Sequence, residues 1–379
     1  MSDLPEKLSQ RIKQRKAQDS LRSLKSYNAK YDFSSNDYLG LARNSDRYFE
    51  PSRSNDGGAT GSRLLTGNHR AHDLLEELLC EYSRSEAALV YNSGYDANLG
   101  LIAAACLRGD LILFDSLVHA SIRDGIQLAK AKALKFAHND LEHLNRLLID
   151  NSSKYDSVYV VTESVFSMDG DSPDLSAMVT LCEDFGAHLI VDEAHAIGVF
   201  GQRGAGLVQH LKLHKRVFAR IITFGKAVGY HGAAVLGGKD LIEYLINFSR
   251  SFIYTTALPA QEMQNIKERV HWIQKSGEYL EENQKLHRNI ALLRSYTIDY
   301  KINDSFVTSE SAIQSCIIGG NSRVKSAAKQ LQDQGFGVLP ILAPTVPEGQ
   351  ERLRICLHSY NTEEEIEQLI KLLASFLQS

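Results

Sequence analysis

The sequence predicts an α/β protein, with a large domain on a mostly parallel sheet and a smaller α+β domain at its C-terminal end. Two observations carry this. Between about residues 40 and 275, short apolar runs bounded by turn residues alternate with helical stretches, the pattern of strands connected by helices. Past one long charged helical region, 262–294, the pattern becomes two strand-like runs, each followed by a helix. A chain of 379 residues has the length for two or three domains with ample core.

In chain order, residues 3 to about 26 are charged throughout, with Leu8, Ile12 and Leu21 at roughly helical spacing. They read as an exposed or partner-bound helix outside the main core, so residues 1–40 are expected to form an N-terminal helical arm. The large domain is expected over 41–275. It opens with the helical "AHDLLEELLCEY" (71–82), and its strands lie in "AALVYNSG", "LILFDS", "SVYVVTES", "HLIVDEAH", "RIITFGK" and "AAVLGG". The small domain, 276–379, takes strands from "AIQSCIIGG" and "RLRICLHSY", and helices from "SRVKSAAKQLQDQG" and "TEEEIEQLIKLLASFL".

Composition narrows the function. The chain is 43% hydrophobic and 23% charged with a net charge of −4, a balance that gives no support to nucleic-acid binding. Five scattered cysteines, with no C-x-x-C pair, speak against a disulfide framework or a structural zinc site. The longest apolar stretch, "LGLIAAACL", is about half of a membrane span, and the charged N-terminus lacks the apolar segment of a secretory signal. No membrane partner and a reducing cytoplasm are the expectation.

In open parallel sheets, ligands bind beyond the carboxyl ends of the strands. The residues just past each apolar run are Asn92, Ser93, Gly94 and Tyr95; Asp115 and His119; Glu163 and Ser167; Asp192 and His195; and Lys226. Singly, an Asp there caps the next helix and a His packs in the core. Converging on one sheet edge, they suit pyridoxal 5'-phosphate. A desolvated Lys226 would form a Schiff base with its aldehyde, and Asp192 would keep the pyridine nitrogen protonated. Backbone N–H groups at a helix start in "NSGYDAN" would take the phosphate, with Gly94 allowing close approach. His119 would stack on the ring, and His195 could reach its phenolic oxygen. Two rivals fail on spacing. "DEAH" (192–195) also occurs in nucleotide hydrolases, but neither Gly225-Lys226 nor Gly238-Lys239 completes a G-x-x-x-x-G-K-[ST] loop. "GGATGSRLLTG" (57–67) lacks the preceding strand and the G-x-G-x-x-G spacing of a dinucleotide loop.

In order along the chain, "SSNDYLGLA" (34–42), "GATGSRLLTGNHRAHDLLEE" (58–77), "NSGYDAN" (92–98), "VHASIRDGI" (118–126), "FAHNDLEHL" (136–144), "VTESVFSMDGD" (161–171), "VDEAHAIGVFGQRGAG" (191–206), "TFGKAVGYHGAAVLG" (223–237) and "PTVPEGQERLRICL" (344–357) resemble the motifs of the α-oxoamine synthases, fold-type I enzymes dependent on pyridoxal phosphate. The resemblance covers nearly the whole chain. It implies Lys226 as the Schiff-base lysine, Asp192 as the pyridine partner, and His195, Ser167 and Thr223 around the cofactor oxygens. Gly94 and Tyr95 match the phosphate-binding backbone, His119 the stacking ring, and Arg22, Asn36 and Thr345 substrate contacts. It further implies a homodimer with sites at the subunit interface, where Thr255 and Thr256 meet the phosphate. The implied reaction is a decarboxylative condensation of L-alanine with a pimeloyl thioester of coenzyme A or an acyl-carrier protein, as in biotin synthesis. The alternative is another member using a different amino acid or acyl-CoA. Two departures stand out. The family commonly carries an arginine shortly before "PTVP", and "VLPILA" (338–343) has none, which makes Arg354 the candidate carboxylate anchor. Tyr230 and His231 replace residues that are usually small.

Overall fold

The computed structural model describes residues 4–24, 29–49 and 57–378. By compactness the described residues fall into two units, one drawn from within 1–35, 168–170 and 284–379, the other from within 36–167 and 171–283.

The second unit is built on a seven-stranded sheet: β1 (Ala87–Tyr91), β2 (Leu111–Asp115), β3 (Lys132–Phe136), β4 (Val158–Glu163), β5 (His188–Asp192), β6 (Ala219–Thr223) and β7 (Ala233–Gly237), in the spatial order β1-β7-β6-β5-β4-β2-β3. Only β7 runs antiparallel, to β1 on one side and β6 on the other. The strands read as unbroken apolar runs because both faces of the sheet are covered. Successive side chains enter opposite cores. Ile190 and Val161 join Leu101, Ile122 and Phe252 on one face, while Leu189, Val191 and Val160 join Met178, Leu148 and Val208 on the other. Six of these strands are those expected from sequence. The seventh, β3, was not foreseen, because "KALKF" places Lys132 and Lys135 on a sheet edge, where charge blunts pairing with another chain rather than marking a buried run.

From β2 the chain steps outward to β3, then returns past β2 to β4 and continues through β5 and β6. The direction of winding therefore reverses between β2 and β4. A crevice forms at such a reversal, beyond the carboxyl ends of the strands.

Below that edge lies a buried ion pair. Arg220 on β6 is 2% exposed and Glu193, the residue after β5, is fully buried. Arg220 Nε donates to Glu193 Oε2 at 2.6 Å, Nη1 to the Ser83 carbonyl at 3.0 Å and Nη2 to the Ala205 carbonyl at 2.9 Å. Glu193 Oε1 accepts from the Val208 N–H at 2.9 Å. Every charged end is thus hydrogen-bonded, the condition under which buried charge is tolerated.

The first unit holds an antiparallel three-stranded sheet with Arg352–Cys356 at its centre, flanked by Leu339–Ile341 and Ile313–Ile317. Helices Asn321–Asp333 and Glu363–Leu377 accompany it, and a buried Arg352–Asp169 ion pair joins the 168–170 segment to the central strand. Strand Leu339–Ile341 contains Pro340, which confines it to an edge and hid it from pattern reading.

Two helices differ from expectation. The N-terminal helix runs only Glu6–Ala17; it ends where Asp19 takes φ +50° and the Ser20 N–H bonds back to the Arg15 carbonyl. It buries no residue, and Leu8 and Ile12 are exposed, as its polarity suggested. The ends of the expected span, residues 3 and 25–26, lie outside the described residues. The long charged region is two helices, Ala260–Lys275 and Gly277–Asp299, broken at Ser276, which takes extended backbone while its Oγ accepts from the Tyr279 N–H at 3.0 Å.

Because the Glu193–Arg220 pair is buried, Arg220→Ala should cost about 3–5 kcal/mol of stability by stranding the carboxylate. Arg216→Ala, which removes the exposed partner of Glu183, should cost far less, because solvent screens that pair. Urea and thermal denaturation of the two variants check the ranking.

Candidate active site

The strand-end residues of the second unit converge where the winding reverses. Asp192 ends β5 with 5% exposure. Its Oδ2 accepts from Asn98 Nδ2 at 2.7 Å and its Oδ1 from the Ala194 N–H at 2.9 Å, so the carboxylate is held from both sides. Asn98 was not singled out from sequence, though it is the last residue of "NSGYDAN" and lies one turn into the helix Gly94–Ala105.

His119 caps the helix Ala120–Leu128, its Nδ1 accepting from the Ser121 N–H at 3.2 Å and lying 2.8 Å from Ser121 Oγ. Burial holds its imidazole below the ordinary histidine range; the negative charge of Asp192 opposes this and the positive charge of Lys226 adds to it. Both charges therefore act on the ring. Glu163, at the end of β4, spans the crevice: Oε1 accepts from the His119 N–H at 2.6 Å and Oε2 from the Ser167 N–H at 3.2 Å. Full burial pushes its carboxyl well above the usual range and Asp192 pushes it further, against the two N–H bonds and Lys226. Sequence reasoning noted Glu163 at a strand end but gave it no role.

Lys226 stands three residues past β6, half-buried, with Nζ 3.4 Å from Thr223 Oγ1. Of its flanking glycines, Gly229 takes φ +66°, and a Cβ there would lie 2.5 Å from the Ala42 nitrogen. Gly225 is under no such pressure, since a Cβ would meet only the Tyr230 carbonyl oxygen, at 3.7 Å. Tyr230 packs instead against the helix Ala260–Lys275, where its hydroxyl accepts from Asn265 Nδ2 at 2.6 Å and the Arg269 guanidinium lies 4.5 Å from the ring centre. Its bulk belongs to that contact.

The helix Gly94–Ala105 aims its N-terminus at the same place. Ser93 Oγ caps it by accepting from the Asp96 N–H at 3.1 Å, and the Gly94 and Tyr95 N–H groups have no acceptor within the helix. A Cβ on Gly94 would sit 2.6 Å from Thr223 Cγ2, so only glycine lets the helix start this close to β6. Tyr95 itself is exposed, its hydroxyl bonded to Asp124. Asn92 Nδ2 donates to Thr255 Oγ1 at 3.0 Å and to the Thr256 carbonyl at 2.9 Å, bringing both threonines to the helix start of their own chain. His195 Nδ1 lies 2.7 Å from the Tyr38 hydroxyl, which donates to Asn36 Oδ1 at 3.2 Å. Tyr38 is a further site residue that sequence reasoning missed, although it sits in the quoted "SSNDYLGLA".

The remaining candidates belong to the first unit. Arg22 Nη2 donates to Thr345 Oγ1 at 3.1 Å, joining two residues 323 positions apart. Arg354 lies on the central strand, 9% exposed, with Nη1 3.0 Å from Cys356 Sγ, so it does not face solvent.

A mostly parallel sheet with a lysine, a doubly held aspartate, a histidine and a helix start with two N–H groups open beyond its strand ends defines a fold-type I enzyme of the pyridoxal-phosphate class. The chain belongs to the aminotransferase class I and II family, whose model matches residues 28–373, and within it to the acyl-transferring α-oxoamine synthases. A Halalkalibacterium halodurans protein provisionally named 8-amino-7-oxononanoate synthase is 39% identical over 343 residues, covering 90% of this chain and 85% of the relative. Among solved structures, a lysine-to-alanine variant of serine palmitoyltransferase from S. paucimobilis with a bound PLP–myriocin aldimine superposes with a TM-score of 0.88 at 25% identity, covering 100% of this chain and 99% of that one. The 8-amino-7-oxononanoate synthase of Francisella tularensis gives 0.75 at 26%, covering 92% of this chain and 98% of that one. Among the described residues no helix is long and apolar enough to cross a membrane.

The contact between Gly94 and Thr223 is testable in isolation. Gly94→Ala should destabilise by about 1–3 kcal/mol through overpacking, and Thr223→Ser, which removes the offending methyl, should restore most of it in the double variant. Additive losses in the thermal melts would contradict the close approach.

Proposed function

We propose that the chain condenses L-alanine with a pimeloyl thioester of coenzyme A or an acyl-carrier protein, giving 8-amino-7-oxononanoate, carbon dioxide and free thiol. The observation that carries this reading is the gathering at the strand ends of Asp192, held by Asn98 and the Ala194 N–H, Lys226 beside Thr223, and His119 at its helix start. The donor set suits pyridoxal phosphate. When bound, that cofactor supplies an electron sink for negative charge at the amino acid's α-carbon.

In this reading Lys226 Nζ would be the covalent attachment point for the cofactor and, as a free amine, would take the α-proton of the substrate as general base. Thr223 Oγ1 steadies that amine. Asp192, its two oxygens already oriented by Asn98 and Ala194, holds a proton on the ring nitrogen. His119 would cover one face of the cofactor ring, and burial favours the neutral form of its imidazole. His195, oriented by Tyr38, and Ser167 meet the ring oxygen. The N–H groups of Gly94 and Tyr95 take the phosphate, joined by Thr255 and Thr256, which Asn92 holds at the same helix start, and the chain works as a cytoplasmic homodimer with its sites at the subunit interface. Arg22, Asn36 and Thr345 contact substrate, and Arg354 serves as the carboxylate anchor in place of the arginine absent before Pro344.

Loss of carbon dioxide makes the condensation effectively irreversible, so the assay is thiol release across a panel of amino acids and acyl thioesters. Alanine with pimeloyl thioester should lead. Preference for another amino acid or acyl-CoA would move the chain to a sister activity, such as glycine acetyltransferase or serine palmitoyltransferase. Lys226→Ala should lose about 10³-fold or more of turnover while the fold persists. Substantial residual turnover would overturn the assignment.

A further inference from the structure

Behind the site, two residues beyond β3, the ring of His138 is clamped between two carboxylates. Its Nδ1 lies 2.9 Å from Asp115 Oδ1 and its Nε2 2.8 Å from Asp171 Oδ2. Carboxylates only accept, so both ring nitrogens must donate, which requires the charged form. Burial alone would drive the proton off; the hydrogen bonds and charges of the two carboxylates outweigh it and push the imidazole up to about 9. Phe166 closes one side edge-on, 4.4 Å between ring centres.

The two carboxylates belong to different loops. Asp115 ends β2, and its oxygens also accept from the Leu117 and Asn139 N–H groups, each at 2.8 Å, so it organises the turn that leads to His119. Asp171 closes the loop after β4: its carbonyl accepts from the Phe166 N–H at 2.9 Å and its Oδ2 from Asn139 Nδ2 at 2.7 Å. That loop presents Ser167. At the crevice, Glu163 ties the same two loops through the His119 and Ser167 N–H groups. The loops are thus joined twice, once at the site and once behind it.

We propose that His138 is a positioning residue of this site: its imidazolium, bridging Asp115 and Asp171, sets the separation between the loop that presents His119 and the loop that presents Ser167. A neutral ring carries a single N–H and can serve only one carboxylate, so losing the proton breaks the ring's bridge and leaves Asn139 and Glu163 to hold the two loops more loosely. Among the described residues, the charged groups that face the ring are Asp115 from β2 and Asp171 from the loop after β4. Its other neighbours, Asn139 and Phe166, are neutral, and His143 of the helix Leu141–Asn151 turns its Nδ1 to the Ala137 N–H. The inference rests on the reading that this site binds pyridoxal phosphate.

The stability linkage has a definite sign. A histidine raised in the fold from 6.5 contributes stability that is complete below about pH 6.5 and is lost as pH rises through about 9. The direct test is titration of pyridoxal phosphate into the wild-type protein and His138→Gln from pH 6.5 to 10, read by cofactor absorbance. The variant should bind about 5- to 10-fold more weakly at pH 7, and the ratio should fall below about twofold at pH 10, where the wild-type ring is also neutral. Taking the ratio cancels other titrations, including that of Lys226. A ratio within twofold at pH 7, or one that stays constant with pH as a purely structural role would give, overturns the proposal. In the wild-type protein, ¹⁵N-histidine NMR should show the His138 ring titrating near 9, and a midpoint at or below 7 overturns it whether or not the variant folds. Wild-type protein that binds no cofactor at any pH sinks the functional reading itself, and this inference with it.

Discussion

The buried carboxylate of Glu193 is the fixed point of the molecule's working edge. One residue earlier on the same strand end, Asp192 faces the crevice, and the alternation of a strand sends the two acids opposite ways. Glu193 reaches Arg220, which in turn grips the Ser83 and Ala205 carbonyls, while the Glu193 N–H bonds the Ile221 carbonyl at 2.8 Å. On the other side the Ser164 N–H bonds the Asp192 carbonyl, also at 2.8 Å. Three strand ends are therefore locked in register beyond their last paired residues. On those ends stand Glu163, Asp192 and Thr223. Desolvating an ion pair costs several kcal/mol per charge before its bonds offset it, so its value here lies in fixing geometry more than in net stability.

From that fixed edge the remaining contacts follow by short steps. Gly94 lets the helix start reach Thr223, Thr223 sits beside Lys226, and Asn98 on the same helix holds Asp192. One helix thereby sets both the N–H groups offered to an anion and the orientation of the aspartate. Opposed charges share a poorly solvated crevice, which is where groups leave their ordinary titration range. His119 is driven toward neutrality and Glu163 toward retention of its proton, both chiefly by burial.

Much of this was legible in the sequence because the candidate site sits where strands end. Six apolar runs located six strands, and the polar residues that follow them are the ones found together. What escaped were residues whose role depends on a partner far along the chain. Asn98 lies on a helix whose periodicity says nothing of Asp192, and Tyr38 meets His195 across 157 positions. Strand β3 escaped because edge lysines mask apolar alternation, and the break at Ser276 because "KSGEY" carries only a modest interruption in a strongly helical composition. Residues 168–170 group with the C-terminal unit, where Asp169 pairs with Arg352, the Met168 carbonyl accepts from Ser315 Oγ and the Gly170 carbonyl from Ser309 Oγ, contacts that no local pattern announces. The bulk of Tyr230, puzzling beside a candidate catalytic lysine, is explained by Asn265 and Arg269.

The central claim is that Lys226 is where the cofactor attaches. Borohydride reduction of the cofactor-loaded protein, followed by protease digestion and mass mapping, tests it directly. The account predicts the mass of reduced pyridoxal phosphate on the peptide containing Lys226. The same mass on another lysine, such as Lys239, or on none at all, would contradict it.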